Sequence, residues 1–172
     1  MYSMFDGCKV LEFLDISSFT TDKVNNMNST FSYCEKLLSL NLSNWNTSNV
    51  TDMRNMFNYC KSLSNLDISS FNTSKVTKMR SMFYDCESLI ELDLSHFDMS
   101  KTTDIGYVYG GLFGGCKSLK HINISNWDIS KNTDLSRLFN SCQALESVDL
   151  SSFNTSNITN IHSMFESCKN LI

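Results

Sequence analysis

Proline is absent from this 172-residue chain, glycine is scarce at six and histidine scarcer at three. No run approaches the ~18 consecutive apolar residues that a membrane helix needs, so a helical membrane span is excluded. Lysine and arginine together number 14 against 18 acidic residues, for a net charge of −4. That balance lacks the basic footprint that phosphate neutralisation requires, and DNA and RNA are poor candidate partners. The sequence contains no G-x-S-x-G, no P-loop, no H-E-x-x-H and no C-x-x-C, so neither a catalytic motif nor a zinc ligand spacing is present. No cofactor is expected. Met1 to Phe5 lacks the charged and apolar regions of a secretory leader, and any export signal or anchor is expected outside this segment.

What the chain does have is a period. Its seven cysteines, Cys8, Cys34, Cys60, Cys86, Cys116, Cys142 and Cys168, are separated by 26, 26, 26, 30, 26 and 26 residues. A constant spacing of this size marks units that cannot bury their apolar faces alone and stack on their neighbours. Residues 1 to 172 therefore read as one repeat solenoid of about 6.5 turns. Stacked cysteines sit roughly 5 Å apart at strand spacing with their side chains pointing the same way, and all seven read as a buried ladder of free thiols. His96, His121 and His162 fall at three different repeat positions and supply no metal site.

The unit that begins at Cys60 shows the pattern. Asn65 to Ser69 alternates polar and apolar, the period-2 signature of a strand with Leu66 and Ile68 inward and Asn65 and Asp67 outward. From Val76 to Leu89 the apolar positions fall three and four apart, which predicts a short amphipathic helix or 3-10 segment. Val76 to Met79 reads alternatively as extended. The intervening Ser, Asn and Thr suit turns. Two columns are aromatic: Phe19, Trp45, Phe71, Phe97, Trp127 and Phe153 in one, and Phe5, Phe31, Phe57, Phe83, Phe113, Phe139 and Phe165 in the other. Both are expected to stack in the core. The fold class predicted is α/β, a right-handed leucine-rich-repeat-like solenoid with one short strand of a continuous parallel sheet and one short helical segment per turn.

The recurring pattern C-x-x-L-x-x-L-D-[LI]-S-x-[FW]-x-T-S-x-V-T-x-M-x-x-M-F-x-x-C, complete from Cys34 to Cys86 apart from Asn41 at its Asp position and Thr30 elsewhere in the column of its second Met, resembles the repeats of BspA-like leucine-rich-repeat surface proteins. The resemblance covers essentially the whole chain. It implies an extracellular, cell-attached array engaged in adhesion or host contact. Met99 and Ile129 depart from the pattern by replacing the Thr of T-S.

Two surfaces are candidates for binding. On the strand face, one column reads Asp15, Asn41, Asp67, Asp93, Asn123 and Asp149. These residues either keep the face soluble by hydrogen bonding along the ladder or offer an oxygen lane to cations such as Ca²⁺. The column beside it, Phe13, Ser39, Asn65, Glu91, His121 and Ser147, changes chemistry from turn to turn, which is where partner specificity can be encoded. The second surface is the four-residue insertion near 106–109, which presents Tyr107, Val108 and Tyr109 within a stretch holding five of the six glycines. Glycine permits positive φ there, and Tyr suits contact surfaces. A carbohydrate-binding face would need exposed aromatics in a row, and Phe13 with Tyr107 and Tyr109 are too few.

Like groups recur in this chain where an enzyme would converge unlike ones. The expected function is a non-catalytic extracellular repeat module at the cell surface, for adhesion or for binding a protein or host ligand. The alternatives are an intracellular protein-interaction scaffold, to which free thiols are suited, and a passive stalk of a larger surface protein. Because neither terminus resembles a polar capping unit, end-to-end self-association or further repeats and domains are also expected.

Overall fold

Two residues with left-handed backbone recur in nearly every repeat, and they decide the shape of the return segment. In the computed structural model, which describes residues 1–172, Ser29, Asn55 and Ser81 have φ of 55, 55 and 56°, and Tyr33, Tyr59 and Asp85, four residues further on, have 57, 58 and 56°. A right-handed helix cannot pass through such residues. The predicted helical segment from Val76 to Leu89 is therefore absent, as is every other helix, and the chain is not an α/β leucine-rich-repeat solenoid. Tandem turns take its place. The N–H groups of Met82, Tyr84 and Cys86 donate to carbonyls three residues back, whereas those of Phe83 and Asp85 cross to Leu112 O at 3.1 Å and Gly114 O at 2.8 Å in the next repeat. Turns of three residues place apolar side chains inward at spacings of three and four, the same spacings a helix face would show.

Strand is also sparser than expected. Four three-residue strands form, β1 (Ser39–Asn41), β2 (Asn65–Asp67), β3 (Glu91–Asp93) and β4 (His121–Asn123). They pair in parallel as two separate sheets, β1 with β2 and β3 with β4, in the register Ser39 opposite Asn65 and Glu91 opposite His121. The continuous sheet with one strand per turn does not form, because β2 and β3 do not pair and the turns around Asp15 and Asp149 carry no strand. Single parallel bridges join Asn26, Asp52 and Lys78 along another line of the stack. No helix is long and apolar enough to cross a membrane.

The core is a column of 39 buried apolar residues between Ile16 and Leu145. Its spine is the phenylalanine ladder, whose rings from Phe5 to Phe165 stack at 5.4 to 5.8 Å with interplanar angles of 3 to 13°. Trp45 and Trp127 lie against Phe31 and Phe113 at 5.7 and 6.0 Å. The cysteine column has a specific partner. Each thiol from Cys34 to Cys168 donates to the carbonyl of the Phe 29 residues earlier, or 33 for Cys116 spanning the long turn, at 3.0 to 3.2 Å. Phe31 O, for example, accepts both the Cys34 N–H and the Cys60 S–H. Cysteine is small and apolar enough for the core and still carries a weak donor for the second lone pair of that carbonyl.

All seven cysteines are free, but they are not all buried as expected. Cys34 to Cys142 are buried, Cys168 is half-buried and Cys8 is exposed. Burial pushes the Cys34 thiol up to about 12 and raises Cys60, Cys86, Cys116 and Cys142 as well. Leu66, expected in the core, is only half-buried, while Ile68 is 2% exposed.

Alkylation of the native protein at mild alkaline pH is therefore expected to modify Cys8 at once and Cys168 more slowly, and to leave the other five untouched until unfolding, because thiolate formation and access both fail in the core. Mass spectrometry of the labelled protein reads this, and rapid modification of Cys86 would contradict the ladder. Phe83→Ala removes a ring stacked on both faces and is expected to cost about 3 to 5 kcal/mol in denaturant melts, against less than about 0.5 kcal/mol for Phe13→Ala on the surface.

Candidate functional site

Where β2 and β3 part, the strand side of the molecule opens into a shallow cavity of about 880 Å³. Asn65, Asp67, Glu91, Asp93, His121 and Asn123 line it, all of them exposed, with the half-buried Leu66 and Ile122 and the 50%-exposed Ile90 between them. Six of the strand-face candidates are thus brought together. Phe13, Asp15, Asn41 and Asp149 lie outside this cavity.

Along the ladder, the Asp/Asn column is joined by the Asn123 side chain, which hydrogen-bonds Asp93, but its recurring contact is a local one. Each side chain bonds the backbone two residues on. Asp67 Oδ1 accepts the Ser69 N–H at 3.0 Å and its hydroxyl at 2.7 Å, and Asp93 Oδ1 accepts the Ser95 N–H at 2.9 Å. Asp15, Asn41, Asn123 and Asp149 do the same to Ser17, Ser43, Ser125 and Ser151. These are Asx turns. Hydrogen bonds from Ser69 hold the Asp67 carboxyl below its ordinary range, and the Ser95 backbone does so for Asp93. The column's first task is therefore to end the strand. No three His, Cys, Asp or Glu residues lie close enough together to hold a metal ion.

The insertion emerges elsewhere. The Leu112 N–H donates to Ile105 O at 3.0 Å and closes a loop of residues 106 to 111, anchored by Tyr107 N–H to Ser136 O at 3.1 Å. Positive φ, expected for its glycines, occurs only at Gly115. Close approach explains the others: a Cβ on Gly110 would stand 2.6 Å from the Tyr84 ring, and one on Gly111 would strike the Arg137 backbone. Val108 and Tyr109 are 46% and 77% exposed as predicted, whereas Tyr107 is half-buried beneath Arg80, whose guanidinium lies 4.6 Å from the ring centre.

Tyr107 and Tyr109 border a second cavity of about 310 Å³ that shares no residue with the first. Tyr33, Tyr59 and Tyr84 also line it. Tyr33 stacks on Tyr59 at 4.6 Å and 9°, and Tyr84 meets Tyr59 edge-on at 5.4 Å. Burial pushes the Tyr59 phenol up to about 12, so it stays protonated. These three tyrosines share no single repeat column. The available signal was Tyr33 and Tyr59 immediately before successive cysteines, with Tyr84 displaced by one residue.

The sequence profile of a family described as "Mycoplasma protein of unknown function, DUF285" matches residues 1–112 and again 109–172, and so runs through the whole chain. No curated protein and no solved structure matches the chain.

Asp85 stands where the two preceding repeats carry Tyr33 and Tyr59, and burial, followed by the nearby Glu87 charge, raises its pKa. A raised folded-state pKa stabilises the fold below the unfolded value and loses that contribution as pH climbs through the raised value. Asn tolerates the left-handed backbone and carries no charge. Asp85→Asn is therefore expected to melt above the native protein at pH 7, with the advantage shrinking as pH is lowered through the carboxylate range. A pH series of thermal melts tests this, and an advantage independent of pH would contradict it.

Proposed function

We propose that this chain, which belongs to the DUF285 family of Mycoplasma proteins of unknown function, is a non-catalytic repeat module held outside the cell, where its strand-face cleft binds a protein of a host or neighbouring surface. The observation that carries this reading is the cleft that runs across β2, β3 and β4, lined by Asn65, Glu91 and His121, three members of the column that changes from repeat to repeat. A rigid frame with varied side chains at one position is how repeat arrays encode partner choice. The exposed Ile90 adds an apolar anchor between the charged groups. The resemblance of the 26-residue pattern to BspA-like surface repeats supports the extracellular location and the adhesive role.

Seven cysteines with no disulfide favour a second reading, an intracellular interaction scaffold, because reducing compartments preserve thiols. Protease treatment of intact cells that express the natural full-length protein separates the two. Loss of the repeats to external protease is expected, and complete protection would place them inside. Binding of the purified chain to immobilised host matrix proteins is expected to weaken about tenfold or more in Glu91→Ala and His121→Ala, the scale of a central interface residue. If no matrix protein binds, or if both variants bind as the native chain does, the cleft is not the contact surface and a passive stalk is the better description.

A further inference from the structure

Five of the chain's six tyrosines meet at the second cavity. They form the row of aromatics that the sequence alone did not reveal. Ser32 and Asn58 line the same cavity at 4% and 8% exposure, and neither the Ser32 hydroxyl nor the Asn58 carboxamide bonds to any group of the chain. A hydroxyl and an amide left free at the floor of an open cleft are placed to bond whatever enters it. The Asn55 carboxamide, also without a partner in the chain, lies on the same wall.

The chemistry of these groups selects the ligand. Hydroxyls and carboxamides both donate and accept, which matches a ligand whose own groups do both, as sugar hydroxyls do. An extended proline-rich segment offers mainly carbonyl acceptors. No Lys or Arg is among the lining residues and Asp6 stands on the border; the Arg80 guanidinium is held over the Tyr107 ring at 4.6 Å. Lys9 and Lys61 reach over Tyr33 and Tyr59 at 5.9 and 5.7 Å, but both are engaged by Glu35, at 3.4 and 3.3 Å. The surroundings therefore favour an uncharged ligand over an anionic one. The volume of about 310 Å³ is at the small end of the ~300–1,000 Å³ typical of ligand sites, which suits one or two sugar rings. Tyr109, 77% exposed, supplies a ring for the apolar C–H face of a sugar.

We propose that the tyrosine cleft is a binding site for a neutral saccharide, a hexose or N-acetylhexosamine unit of a glycan. Ser32, Asn55 and Asn58 bond its hydroxyls and Tyr109 packs on its ring. Gly110 and Gly114 serve the site by letting the Tyr84 ring lie against the backbone of the insertion. The site shares no residue with the strand-face cleft, and protein binding there can fail while saccharide binding stands.

The whole chain is applied to an array carrying neutral, sialylated and sulfated glycans, and the best soluble oligosaccharide is then titrated calorimetrically. Binding to neutral glycans is expected, weakened about tenfold or more in Tyr109→Ala, weakened to a lesser degree in Ser32→Ala, and unchanged in Glu91→Ala. Tyr109 is exposed, so its variant is expected to melt with the native protein. Absence of neutral-glycan binding would overturn the proposal, as would preference for sialylated or sulfated glycans, capture of a proline-rich peptide in their place, or native-like saccharide affinity in a folded Tyr109→Ala.

Discussion

Backbone donors that alternate between their own repeat and the next one hold this molecule together. In the unit from Asn55 to Tyr59, the N–H groups of Asn55, Phe57 and Tyr59 cross to Arg80, Met82 and Tyr84 at 2.8 to 3.1 Å, while that of Asn58 turns back to Asn55. Left-handed residues produce the alternation, since each reverses the sense of the chain before a helix can form. Once repeats are tied at hydrogen-bond distance, equivalent side chains have no choice but to stack. The phenylalanine ladder and the thiol-to-carbonyl ladder both follow from that spacing.

Polar residues inside the stack obey the same geometry. Thr47 and Thr73 are buried and donate to Asn72 O and Asp98 O of the following repeat, with the apolar Val50 and Val76 three residues on. In the next two repeats the pair is exchanged. Met99 and Ile129 take the Thr place, while Thr102 and Asn132 take the Val place and donate to Val76 O and Thr102 O. The departures from the repeat pattern thus preserve one buried donor per repeat, as a low-dielectric interior demands. Asx turns recur in further columns, as at Asn46, Asn72 and Asp98, and account for much of the Asn, Asp and Ser in the sequence.

Both clefts arise where the regularity fails. The strand-face cleft opens between two short sheets, and the tyrosine cleft forms where Tyr84 slips one position from the column of Tyr33 and Tyr59 and meets the inserted loop. Repetition provides a stiff frame, and its interruptions make the concave, chemically mixed surfaces that a ligand needs. The proposed protein and saccharide contacts share no residue and are therefore compatible on one frame.

The period, the identity of the aromatic and cysteine columns and the outward position of Asp67 were determined by the sequence alone, because a repeat of 26 residues forces equivalent positions into register whatever the local backbone does. The conformation of the return segment was not. Turns of three residues and helix turns of 3.6 place apolar side chains at the same spacings, and only the inter-repeat hydrogen bonds, with the positive φ they require at Ser81 and Asp85, separate the two. The polar lining of the strand-face cleft was likewise legible, Asn65, Glu91 and His121 by varying and Asp67, Asp93 and Asn123 by recurring, but the parting of β2 and β3 beside them depends on contacts between repeats. Tyr33, Tyr59 and Tyr84 are far apart in sequence and fall out of phase at the last of the three. Their meeting with Tyr107 and Tyr109 was decided by tertiary structure, because it needed the insertion folded back and glycine at position 110 to admit a ring.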